Sequence, residues 1–196
     1  MQSILKSAQG FDLVPIESKL LKDRTIFIEG EIKSETACEF LRKILLLVSE
    51  DKEIPVDVLI NSLGGEINAG LLIYDTIQTC KTPIRMFCIG QAYSMAAILV
   101  ACGNHGRYIL PHSEIMLHEP LLANQVSGNS SSIQSISESL LATKKKMNKI
   151  LAKHTGHTES EIEQATSYNH FFNAEESVKF GLVDEIVGID KMMLEG

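Results

Sequence analysis

Apolar residues along the chain alternate between the spacing of strands and the spacing of helices. A short apolar run over 25–29 (TIFIE) reads as a strand. Gly30 and Ser34 then lead into a helix over 36–50, where Phe40, Leu41, Ile44, Leu45, Leu47 and Val48 recur at helical spacing. Thr36 and Glu39 have the spacing of a capping box. Pro55 precedes a strand over 56–61, and 62–65 (SLGG) reads as a glycine turn. A helix over 67–80 follows, then a strand over 84–89 that Gly90 breaks. An apolar helix of small residues starts at about Ser94 and ends near Gly103. Two strands, 107–110 and 114–118, are separated by Pro111.

Beyond Pro120 the chain is polar over 124–132 (NQVSGNSSS) and then forms a long helix over 133–153. Ile133, Ile136, Leu140, Met147, Ile150 and Leu151 make its apolar stripe, and Lys144–Lys146 reads as a partly solvated charge cluster. Gly156 stops it. Thr158 with Glu161, and Asn173 with Glu176, mark the starts of two short helices, and 182–187 reads as a closing strand. Residues 1–20 lack clear periodicity and read as an arm or loop. Strands alternating with helices predict an α/β fold in one domain, with no repeat of fixed period.

Composition narrows the function more than the fold. The 196 residues carry 18 basic and 25 acidic side chains, a net charge of −7 that argues against nucleic acid or an anionic membrane as partner. No apolar run reaches signal-peptide or membrane-span length, so the expected location is the cytoplasm. Cys38, Cys80, Cys88 and Cys102 form no C-x-x-C pair, which predicts free thiols in a reducing compartment and no zinc site.

Three features can carry chemistry. Ser94 stands between a strand and the first turn of an apolar helix, near the positive end of its dipole. The next N–H, that of Met95, lacks an intrahelical partner and can stabilise an oxyanion. Alone, this is more often the pattern of a capping serine than of a nucleophile. Gly64 and Gly65 allow close approach of the backbone to a ligand and can supply a second donor; alone they read as a tight turn. His118, at the end of an apolar strand, can act as general base to a serine, though an isolated histidine there is more often structural.

Four stretches in order, 61–65 (NSLGG), 69–76 (AGLLIYDT), 90–97 (GQAYSMAA) and 110–120 (LPHSEIMLHEP), closely resemble the Clp protease proteolytic subunit family (ClpP). The resemblance continues through 154–156 (HTG) and 174–184 (AEESVKFGLVD) and spans about 18–188. It implies a crotonase-like α/β fold of repeated ββα units, heptameric rings stacked as a tetradecamer, and a handle helix between rings. The handle region is then 124–153, and residues 1–17 form an arm at the axial pore. It further implies unfolded protein substrates, fed by an AAA+ ATPase partner that uses the ATP; the chain itself needs no cofactor.

The resemblance also assigns residues. Ser94 matches the nucleophile, His118 the general base, and Gly65 and Met95 the backbone oxyanion donors. The third triad position, usually Asp, is Asn169. Leu63 replaces a usual Pro, which is expected to loosen the glycine turn. Tyr93 replaces a small residue and is expected to reshape the substrate pocket. Leu122 and Ala123 replace a Gly-Gly pair, in a loop longer than usual. Asp57 stands where an aromatic usually lines the ATPase docking pocket, and its charge is expected to weaken apolar docking. Two readings follow: an active Ser-His-Asn peptidase, or a weak or silent paralogue that acts as structural partner to a standard ClpP subunit. A third, a crotonase-type enzyme acting on acyl-CoA, does not explain the Ser94 and His118 motifs.

Overall fold

A computed structural model describes residues 2–7, 10–122 and 127–192. Residues 123–126, Ala123 and part of the lengthened segment expected there among them, lie outside the described residues. The N-terminal segment is not irregular, as its weak periodicity predicted. Strands β1 (Gln2–Ser7) and β2 (Gly10–Pro15) pair as an antiparallel hairpin, and helix α1 (Ile16–Lys22) follows. Ile4 and Leu13, a cross-strand pair of the hairpin, are both exposed. Helical periodicity is a weak signal in so short an element.

Strand β3 (Thr25–Ile32), helix α2 (Ser34–Glu50), strand β4 (Val56–Gly65), helix α3 (Ile67–Thr79) and strand β5 (Ile84–Tyr93) come next. Helix α4 (Met95–Ala101) and strands β6 (Arg107–Ile109) and β7 (Glu114–Leu117) follow. The long helix α5 (Ser130–Thr155) precedes α6 (Glu159–Thr166), β8 (His170–Phe172), α7 (Ala174–Lys179) and β9 (Glu185–Ile186). The order β3-β4-β5-β6-β9 defines a largely parallel sheet; β7 branches from the end of β5, and β8 pairs antiparallel with β7.

Two expected strand ends are not ends. The glycine segment SLGG continues β4, with Gly64 and Gly65 opposite Glu31 and Ile32, and β5 runs past Gly90 to Tyr93. Gly90 lies in a bulge of β5, where the register steps from Ile60–Cys88 to Ser62–Ala92, whereas on β4 the bulge falls at Ser62 and Leu63, opposite Gly30, and Gly64 and Gly65 resume regular pairing. Leu63 therefore sits exposed on a strand rather than in a loosened turn. The extension matters because it carries both strands directly into the candidate site.

Local start signals were correct where the side chain could bond and wrong where it could not. The Thr158 and Asn173 side chains cap α6 and α7, and Glu161 and Glu176 return the bond. Thr36 lies inside α2, where its hydroxyl accepts from the Lys33 N–H, so the expected Thr36–Glu39 box does not form. At the other end of α2 the Arg24 guanidinium donates to the Leu47 and Asp51 carbonyls at 3.0 and 2.8 Å, tying β3 to the helix end.

The main core lies on the helical side of the sheet, where α2, α3 and α4 cover Ile26, Ile28, Val58, Ile60, Met86 and Cys88. Cys88 and Cys102 are buried free thiols, and burial pushes the Cys88 thiol up to about 12. A smaller cluster of Leu59, Phe87 and Val187 occupies the other face. Asp57 stands beside it, and here the sequence expectation is corrected. Asp57 and Arg85 are 6% and 5% exposed, adjacent across β4 and β5, and joined by two hydrogen bonds of 2.5 and 2.7 Å. The carboxylate is neutralised within the sheet and presents no bare charge to a partner.

Helix α5 packs only its last turns. Met147, Asn148 and Leu151 are its buried residues, and Ile133 and Leu141 are exposed. At its C-terminal end His154 Nε2 lies 3.1 Å from the Tyr74 hydroxyl, and Arg107 donates to the His154 and Gly181 carbonyls. Burial, then the Lys153 and Arg107 charges, lower the His154 pKa to about 4. The unfolded chain takes up this proton near pH 6.5, whereas the folded protein refuses it until near pH 4. Stability is therefore expected to fall as pH drops through that window. Urea titrations at pH 7 and pH 5 should show a larger loss for wild type than for His154→Gln; equal losses would assign the pH response elsewhere.

Candidate active site

The site is assembled where β5 meets α4. Ser94 joins them with φ 56° and ψ −122°, a backbone conformation that costs a residue with a Cβ about 1–3 kcal/mol. The surroundings hold it there. Its N–H donates to the Met116 carbonyl of β7 at 2.9 Å, and its own carbonyl accepts from the Ala97 N–H at 3.1 Å, opening α4. Seven consecutive buried residues follow, Met95–Ala101, so the helix is anchored on every side and cannot relax the turn before it.

Glycines make the close packing possible. A Cβ on Gly64, at φ 93°, would lie 2.6 Å from the Tyr93 carbonyl oxygen, 2.8 Å from Ser94 Cβ and 3.1 Å from the Met95 nitrogen. A Cβ on Gly65 would strike the Ile32 backbone at 2.2 Å. Gly64 thus lets β4 pass against the nucleophile turn, and Gly65 lets it close on β3. The buried Ser62 fixes this segment, accepting from the Gly64 N–H at 3.0 Å and donating to the Gly30 carbonyl at 2.5 Å. The Met95 side chain fills the notch left by Gly70 on α3.

His118 follows β7. Ser94 and His118 line one cavity that opens to solvent. Ile67, Met95, Leu117 and Met147 form much of its apolar wall, and Asn148 and Thr166 add polar atoms. Among the described residues no hydrogen bond joins Ser94 Oγ to His118, as is common before substrate binds. His118 Nδ1 is buried and has no hydrogen-bond partner among the described residues. Asn169 precedes β8. The register of β7 on β8 ends at Leu117 with His170, and one further step sets Asn169 opposite His118. The Asn169 side chain is exposed and makes no hydrogen bond to His118.

Tyr93 does not reshape this cavity, contrary to expectation. It is absent from the cavity lining, and its ring is held elsewhere. Its hydroxyl donates to Glu114 Oε1 at 2.5 Å, and its ring meets Phe171 edge-on, with centroids 5.7 Å apart. Three features escaped sequence reasoning: this contact, the polar wall of Asn148 and Thr166, and a bridge from Lys144 to Glu119 and Glu163 at 2.9 and 3.0 Å. The bridge ties α5 to the residue after His118. No periodicity marks such pairs, because their members lie on different elements.

Among the described residues no group of three His, Cys, Asp or Glu side chains could hold a metal ion, and no helix is long and apolar enough to cross a membrane. The chemistry gathered here is a strained serine at a helix start, a histidine sharing its cavity, and glycine strands beside both. The family model described as Clp protease matches residues 8–190, which takes in every one of these elements, and the chain belongs to the Clp protease family.

Proposed function

We propose that the chain is a serine endopeptidase subunit of a barrel-shaped, ATP-dependent Clp protease that hydrolyses unfolded proteins and peptides. The observation that carries this reading is the strained Ser94 at the start of α4, sharing a cavity with His118. Ser94 Oγ attacks the peptide carbonyl while His118 takes its proton; the oxyanion is received by the Gly65 and Met95 N–H groups. His118 then protonates the leaving amine, and water hydrolyses the acyl-enzyme. Asn169 is the residue that would hold the His118 imidazole.

The same reading treats 1–196 as one crotonase-like peptidase domain of a cytoplasmic protein, with an axial arm at 1–17 and a handle at 124–153. Copies assemble into heptameric rings stacked as a tetradecamer. The exposed half of α5, with Ile133 and Leu141 in water, fits a helix that is covered on assembly. An AAA+ ATPase docks on the apolar cluster beside Asp57 and Arg85 and delivers substrates, using the ATP itself.

A second reading is favoured by one observation, the unpartnered His118 Nδ1. On that reading the chain is a weak or silent paralogue, active only as a structural partner of a standard ClpP ring. Labelling with a fluorophosphonate probe separates the two. Purified protein, alone and mixed with a standard ClpP subunit, is expected to label at Ser94 and not in Ser94→Ala, with mixing increasing the rate. No labelling of Ser94 in either preparation removes the peptidase reading and leaves the structural one.

A further inference from the structure

Strand β8 is the weakest-held part of the site. It has three residues, lies at the sheet edge, and pairs only with β7 among the described strands. Short edge strands open locally far more readily than central ones. Asn169 immediately precedes it. Something beyond three ladder pairs has to hold Asn169 opposite His118.

The register supplies the candidate. Tyr93 on β5 is paired with Met116 on β7, and Met116 with Phe171 on β8, so the three lie in one row across three strands. The Tyr93 ring spans this row and meets Phe171 edge-on at 88°. Its hydroxyl reaches Glu114, also on β7, at 2.5 Å. Tyr93 is followed by Ser94, Met116 lies two positions before His118, and Phe171 two positions after Asn169. One side chain therefore touches all three strands that carry the candidate triad.

We propose that Tyr93 is a positioning residue: its ring and hydroxyl staple β8, and with it Asn169, to the strands bearing Ser94 and His118. The role of Asn169 rests on the peptidase reading above; the staple itself does not. The hydroxyl keeps its proton, since the Glu114 carboxylate, then burial, push its pKa up to about 12. The hydroxyl therefore remains a donor at every pH at which the fold is expected to work. The ring contributes an edge-to-face contact and the hydroxyl a charge-assisted hydrogen bond, two interactions that fail separately on substitution.

Hydrogen exchange and Ser94 labelling test this on the full-length protein. Tyr93→Ala is expected to speed exchange of the β8 amides by up to about tenfold, the scale of the lost edge-to-face contact with Phe171, with β3 and β4 unchanged. Tyr93→Phe and Glu114→Gln, which keep the ring on Phe171, should show a smaller increase at β8 and report if Tyr93→Ala does not fold. Fluorophosphonate labelling should slow by a similar factor in Tyr93→Ala, and not slow further when Tyr93→Ala is added to Asn169→Ala. Unchanged β8 exchange in all three variants, or equal slowing in both Asn169 backgrounds, overturns the proposal. If Ser94 labels in no preparation, the peptidase reading fails, and β8 exchange alone decides the staple.

Discussion

Replacing Ser94 by glycine is expected to abolish activity and to raise stability at once. The loss follows from removing the nucleophile: a serine protease deprived of its serine loses about 10⁶ in turnover, and the other hydroxyl lining the cavity, that of Thr166, is committed to the Ile162 and Glu163 carbonyls. The gain follows from φ 56° and ψ −122°, which a residue with a Cβ reaches only under strain and glycine reaches freely. About 1–3 kcal/mol of strain would be relieved, against about 0.5–1 kcal/mol of added chain entropy. The net is about 1 kcal/mol, or ~2–4 °C in Tm for a chain of this size. Ser94→Ala is the control. It is equally inactive but keeps the Cβ and the strain, so it should melt near wild type and below Ser94→Gly. If the alanine and glycine variants melt together, the turn stores no strain and the conformation is simply what the sequence prefers.

That comparison also explains why Ser94 was ambiguous as a sequence. A capping serine and an elbow serine share the same neighbours along the chain. What separates them is the backbone angle and the strand passing alongside, here Gly64 of β4. Gly64 is read from sequence as a turn former, and its use is to let two strands and a helix start meet within contact distance. Gly90 was misread for the same reason. Glycine signals freedom of φ, and a bulge within a strand uses that freedom as readily as a turn does.

The strand and helix order was legible because each element buries one face, and burial imposes a period. Asp57 was not, because its partner Arg85 is 28 residues away and meets it only through the register of two parallel strands. Tyr93 was misplaced through the same gap. Its position beside Ser94 drew attention to the cavity, whereas the pairing of β5, β7 and β8 sets its ring and hydroxyl on Phe171 and Glu114. Lys144 belongs with them. Lys145 and Lys146 are exposed as their charge predicts, but Lys144 is drawn in by two carboxylates from other elements. Each miss is a pairing between charged or polar groups distant in sequence, which local patterns do not record.

Asn169→Asp is expected to accelerate labelling of Ser94 by about 10² or more, part of the ~10⁴ that the reverse change has cost a serine protease. The reason lies at His118 Nδ1, buried and without a partner. For His118 to accept the Ser94 proton at Nε2, the neutral imidazole must carry its own proton on Nδ1. With no acceptor at Nδ1, nothing favours that tautomer over the inactive one, and nothing stabilises the imidazolium once it forms. An asparagine carbonyl can serve as acceptor only if the amide turns the right way, and it carries no charge. A carboxylate accepts through either oxygen and attracts the imidazolium as it develops. The site tolerates the added charge, because Asn169 is exposed and an aspartate there stays hydrated. The gain should fall on the rate of the bond-forming step and leave probe binding unchanged, since Asn169 does not line the cavity. Labelling that is unchanged or slower in Asn169→Asp would mean that residue 169 does not reach His118 even with substrate bound. The tautomer would then be set by another group, and the register of β7 on β8 would be the wrong guide to the third member of the triad.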